Sequence, residues 1–199
     1  MFKNLNKKLV TIALSTCVLF TGSILAYAAA SDYLFSGGYE ASVVKDLKFV
    51  VSGGDYNEQQ NIMIAGANAW NGISSAVNLS NNSTGARMSI WKTSTTTDQL
   101  FGECIQYNSW GSKVSTSSTW YMTDINFYNN QFEIYKAYIP AGEYDARRKA
   151  SVTHEVGHAL SLKHADEDNI DGVMDTGMLQ RPLTVQDQDK WYLRCKWGW

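Results

Sequence analysis

Histidine is scarce in this chain of 199 residues: there are three, and all lie between positions 154 and 164. That scarcity excludes a good deal. No imidazole is left elsewhere to activate a thiol, so neither Cys104 nor Cys195 has a partner for thiol catalysis. Cysteine is nearly as rare, three in all, and neither Cys104 nor Cys195 is spaced to add a thiolate to the histidines. Lysine and arginine form no basic cluster, so the electrostatic footprint of a nucleic-acid binder is missing.

The chain opens with the layout of a secretory signal. Lys3, Lys7 and Lys8 precede an apolar run from Leu9 to Leu25, followed by small residues up to Ala30. Ala26-Tyr27-Ala28 and Ala28-Ala29-Ala30 both satisfy the small-x-small cleavage rule, so the cleavage site stays open. Residues 1–30 are read as signal and 31–199 as one domain, secreted to the extracellular side. An uncleaved anchor is the alternative, and membrane contact is expected only through this segment. Without the first 28 residues the formal charge becomes about minus five, because three lysines and no acids are lost. In an oxidising exterior Cys104 and Cys195 could pair in one disulfide or stand as two thiols.

Hydropathy patterning then suggests alternating elements. Val43 to Val51 reads as a strand, and Asp55 to Trp70 as a helix with Ile62, Ala65, Ala69 and Trp70 on one side. Asn78 to Gly85 reads as polar loop and Ala86 to Trp91 as a second strand. Phe101 to Tyr107 and Met122 to Tyr128 are further strands, and Phe132 to Ile139 also looks extended. Asp145 to Lys163 reads as a helix with Asp145 as its cap. Its buried side is Val152, Val156, Ala159 and Leu160, and its solvated face is Arg147, Arg148 and Lys149. A closing helix follows Pro182, with Thr184 as N-cap and Asp187 at the box position, running to about Lys196.

The informative stretch is HEVGHALSLKH, His154 to His164. Residues four apart share a helix face, so His154 and His158 can reach one metal ion with Glu155 at its rim. His164 cannot join them on the same helix, since ten residues carry it about 15 Å along the axis. If it is a ligand, the helix must stop soon after His158 and the chain must fold back.

HExxHxxxxxH resembles the signature of the metzincin zinc peptidases, with Ser161 where that family normally has a glycine. Met174, in GVMDTG, resembles the family's Met-turn, and Thr176 stands where some members carry a tyrosine ligand. The likeness is closest to the matrixin type and is specific from Val152 to Asp175. It implies an α+β fold with a twisted mixed sheet, two long helices, a zinc cleft and a small C-terminal subdomain. The upper part would reach about residue 160 and the lower part would span 161–199. It also implies one catalytic Zn2+ on His154, His158 and His164, with Glu155 as general base and Met174 as a floor. The substrate would be a peptide or protein held as an extended strand along an exposed sheet edge.

Other readings stay open. A secreted zinc-containing binding protein without proteolysis is the main one, a thermolysin-like zincin with a downstream glutamate ligand the second, and a structural surface protein with incidental histidines the third. ADEDNIDG, after His164, invites structural calcium, but its spacing does not make an EF-hand loop. The terminal tryptophans Trp191, Trp197 and Trp199 read as packing residues.

Overall fold

The structure, a computed structural model, describes residues 30–164 and 172–199. A short helix, α1 (Ala41–Val44), leads into strand β1 (Leu47–Ser52). The strand therefore begins later than the alternation from Val43 suggested. Val43 and Val44 donate back to Glu40 O at 2.9 and 3.3 Å, closing a local turn first.

Asp55 and Glu58 form a capping box that starts a helix over residues 56–68, α2. Its middle, Gln59–Ile64, is wound as a π-helix. Those wider turns shift the phase of the helix faces. Ile62, Met63, Gly66 and Ala67 are buried, whereas Ala69, expected on the inner side, is exposed. Trp70, just beyond the helix, is fully buried and donates from Nε1 to Thr153 O at 2.8 Å.

The remaining strands are β2 (Leu79–Asn81), β3 (Met88–Thr93), β4 (Gly102–Tyr107) and β5 (Met122–Tyr128). They join β1 in one sheet of order β2-β1-β3-β5-β4. All pairs are parallel except β4 with β5. β2 lies within the stretch read as polar loop, where Leu79 is the only buried side chain and no alternation can show. The sheet's β4 edge packs against the helix that carries His154 and His158.

After β5 the chain leaves the sheet as α3 (Asn129–Ile134) and a 3-10 turn (Lys136–Tyr138), not as the extended segment expected over Phe132–Ile139. Phe132 turns inward against Phe101 and Phe127, with ring centroids 4.9 and 5.5 Å away. Gln131 accepts from Gln99 N at 3.1 Å, tying α3 to the loop before β4. The long helix α4 (Tyr144–Ala159) and the closing helix α5 (Asp187–Trp197) complete the fold. Asp145 lies in the first turn of α4 and does not cap it. α5 starts at Gln186 with a capping box to Asp189, later than the Thr184 cap expected. The architecture is α+β, a five-stranded mixed sheet covered by helices. No described helix is long and apolar enough to cross a membrane.

The charged face assigned to α4 is a correction. Arg147 and Arg148 are buried, not solvated. Arg148 bonds Glu58, Asp145 and Asn129, and Arg147 bonds Glu143 and two carbonyls of the loop before α5. Partners distant in sequence make that burial possible. The signal segment and the acidic stretch 165–171, with its calcium question, lie outside the described residues.

Candidate metal centre

α4 ends where the histidine spacing requires. Leu160 and Ser161 leave the helix, with Ser161 at φ +70°. Ser161 N donates to His158 O at 2.9 Å and Leu162 N to Gly157 O at 3.0 Å, the paired bonds of a Schellman stop. Glycine is the cheap residue at such a position. Here the serine is held in place by donating from Oγ to Gly37 O at 3.1 Å.

The N-terminal segment then fixes the return of the chain. Phe35 N donates to Ser161 O and Lys163 N to Tyr33 O, both at 2.8 Å, in a short antiparallel bridge. His164 emerges from that bridge and turns back onto the helix. Its Nε2 lies 3.1 Å from both His154 Nε2 and His158 Nε2. The three ligand atoms all lie within 4.8 Å of one another.

The other ring nitrogens are occupied. His154 Nδ1 donates to Val173 O and His158 Nδ1 to Leu162 O, each at 2.8 Å. These bonds fix the tautomer and leave Nε2 with its lone pair directed at the common point. Lone pairs brought this close repel unless a cation shares them. The three nitrogens are close enough together to hold one metal ion. Burial pulls His154 well below its ordinary pKa, assisted by the Arg181 charge, and pulls His158 down to about 3. His164 is lowered for the same two reasons as His154. All three rings are neutral at neutral pH, as ligation demands.

Met174 forms the floor. It is 1 % exposed and its thioether lies against Gly157 of α4. A Cβ on Gly157 would collide with Met174 Sδ and stand 2.8 Å from Trp70 Cζ2. The turn is held by two buried carboxylates, Asp175, which accepts from Gly172 N at 3.0 Å, and Asp189. Asp189 of α5, 1 % exposed, accepts from Val173 N at 2.9 Å and Met174 N at 3.3 Å. A chain of bonds thus runs from α5 through the Val173 peptide to the His154 ring.

Glu155 stands beside the three nitrogens on the cleft side, 7 % exposed, against β4. A Cβ on Gly102 would lie 2.7 Å from Glu155 Oε1, so only glycine lets the edge strand and the carboxylate come this close. Burial raises the Glu155 pKa to about 8, opposed by the positive charge of Arg181. Among the described residues, no fourth protein ligand joins the histidine cluster.

Cys104 lines the same cleft from β4, and burial pushes its thiol well up, with the Glu155 charge adding to the effect. No disulfide joins it to Cys195, which belongs to α5. Sequence reasoning brought His154, Glu155, His158, His164 and Met174 to one place, and it missed Arg181. The signal was there: Arg181 is the one charged residue between Thr176 and Gln186.

No family model matches the chain, and no curated protein matches it. A solved structure, the GM1-bound form of the ECX AB5 holotoxin, is similar at 18 % identity and a TM-score of 0.41. The similarity covers 65 % of this chain and 57 % of that one, so this chain spans less than two thirds of its neighbour's length.

Proposed function

We propose that this chain is a zinc-dependent metalloendopeptidase of the metzincin, matrixin-like kind, exported from the cell, cleaving internal peptide bonds. One observation carries the reading. Three neutral imidazoles converge on one point while a buried carboxylate that is not needed as a ligand stands next to it. A closed structural site normally has a fourth protein ligand and no use for such a carboxylate.

His154, His158 and His164 would hold the ion through Nε2. When bound, zinc supplies a Lewis acid for a carbonyl oxygen and makes water acidic enough to attack near neutral pH. Glu155 takes the proton of that water and hands it to the departing amine. The edge strand β4 offers free backbone groups beside the histidines, so an extended peptide can add to the sheet there. Gly102 gives the peptide and Glu155 a shared wall without a side chain between them. Asp189 and Val173 keep the His154 ring from turning.

The test pairs zinc content with cleavage of a mixed peptide library, for wild type and Glu155→Ala. One zinc in both proteins, with cleavage by the wild type alone, is the expected result. Zinc in both without cleavage by either favours a zinc-containing binding protein, and a metal-replete wild type without zinc overturns the reading.

A further inference from the structure

Two arginines are buried beneath the cleft, and they are used differently. Arg147 is saturated: it donates to Glu143 Oε2 from Nε and Nη2 at 3.0 and 2.8 Å, and from Nη1 to Met178 O and Arg181 O at 3.1 and 2.8 Å. Its role is to hold the loop after Met174.

Arg181 is only 4 % exposed, yet its guanidinium makes one long bond among the described residues, Nη1 to Asp175 O at 3.5 Å. Its Nε is buried without a hydrogen-bond partner among the described residues. It forms no salt bridge among the described residues. A buried charged donor left unmade is a standing cost, and structural arginines do not normally carry it.

The position of Arg181 gives that cost a use. The side chain lines the cleft together with His154, Glu155, Thr176 and Met178. Glu155, Asp175 and Asp189 favour its charged form while burial and Arg147 oppose it. A guanidinium presents five donors in a planar fork that matches a carboxylate. Directly alongside is a cavity of about 280 Å³ whose walls include Phe101, Tyr135, Tyr138, Thr176, Met178 and Gln180. No carboxylate and no ammonium lines it, whereas the cleft that Arg181 itself lines also carries Glu103 and Glu155.

We propose that Arg181 is the specificity determinant of the cleft, taking a substrate carboxylate next to the scissile bond. The source is an Asp or Glu side chain, or the terminal carboxylate of the peptide. The substrate role rests on the peptidase reading; the carboxylate site itself does not, and two experiments separate them.

In the first, metal-free protein labelled on arginine Nε is titrated with the α-methylamides of N-acetyl-glutamate and N-acetyl-glutamine, of which only the first carries a carboxylate, followed by NMR. One Nε resonance should move with the acid and not with the amide, and should be missing from Arg181→Leu. Equal responses to acid and amide, or a moving resonance that persists in Arg181→Leu, overturn the site.

In the second, zinc-loaded protein is given peptides paired as Glu and Gln, or Asp and Asn, on each side of the cut, and as C-terminal acids and amides. The carboxylate partner should be cleaved on the order of ten- to a hundredfold better in kcat/KM, the range of a charge-assisted bond. The pair that shows the preference identifies the source. Arg181→Lys should keep part of it and Arg181→Leu should lose it, and because the readout is a ratio within each protein, partial misfolding does not imitate the result. Cleavage indifferent to charge overturns the proposal and leaves the peptidase standing. Acid binding in the first experiment with no cleavage in the second overturns the peptidase and, with it, the substrate role.

Discussion

Two clusters of charged groups, each with a buried arginine, lie at opposite ends of α4 and are built on different terms. At its N-terminal end Glu58 receives Lys92 and Arg148, while Arg148 also bonds Asp145 and Asn129. Every charge there has a counter-charge. Burial alone would raise the Glu58 pKa, but hydrogen bonds from Lys92 and Arg148 outweigh it and hold the carboxyl at about 2. At the other end Glu155 is raised to about 8 by burial, the histidines are held neutral, and Arg181 Nε has no hydrogen-bond partner among the described residues. One helix thus carries a charge cluster that stabilises the fold and one that stands ready for something outside it. Satisfied networks rigidify, whereas perturbed and unpaired groups collect where chemistry occurs.

Exchanging the two carboxylates for neutral groups should separate these roles. Glu155→Gln should lower kcat/KM by about 10²–10⁴-fold, the reach of a general base, with zinc content unchanged. The same change should raise the melting temperature of the metal-free protein at pH 7. A carboxyl whose folded pKa lies above its unfolded value opposes folding once the pH exceeds the unfolded value. A metal-free variant less stable than wild type would place Glu155 in the structural class.

The Glu58→Gln change should do the reverse. It leaves Arg148 buried with weaker partners and should cost about 2 kcal/mol in urea denaturation, while zinc-loaded kcat/KM stays within about twofold. The pH dependence sharpens this. Glu58 is depressed from 4.5 to about 2, so its contribution is present above pH 4.5 and is lost as the pH falls toward 2. Wild type should therefore lose more stability than Glu58→Gln over that interval, as acid titrations of unfolding would measure.

How much of this was legible in the sequence differs between the two ends. The histidine end is local: three histidines, a glutamate and a methionine within 21 positions announce themselves by spacing, and a helix stop after His158 follows from geometry. The other end is not. Arg147 and Arg148 look solvated because three of the residues that receive them, Glu58, Met178 and Arg181, lie 31 to 90 positions away. Phe132 misleads for a related reason. Its aromatic neighbours mimic strand alternation, and only Phe101 and Phe127, from other elements, turn the segment inward as a helix. The π-wound middle of α2 has no sequence signature in period or composition, so Ala69 was assigned to the wrong side.

The smallest expected effect concerns the helix stop. Ser161→Gly relieves a left-handed backbone by about 1 kcal/mol and removes a hydrogen bond to Gly37 worth a similar amount, so the two should nearly cancel. Ser161→Ala keeps the strain and loses the bond, and should be about 1 kcal/mol less stable than wild type by the same denaturation assay. An alanine variant as stable as wild type would show that the Gly37 contact does not hold the turn.

That contact bridges 124 positions of sequence. Closing so long a loop costs entropy before it brings any return, and distant pairings of this kind slow the assembly of a chain. During synthesis the segment around Phe35 waits until almost the whole domain has emerged before Ser161 reaches it. His154 and His158 can lie on a helix much earlier, but His164 reaches them only when the first and last thirds of the domain meet. The third imidazole is thus tied to the joining of the two ends: a chain that has not yet joined them would present two ring nitrogens to a metal ion instead of three.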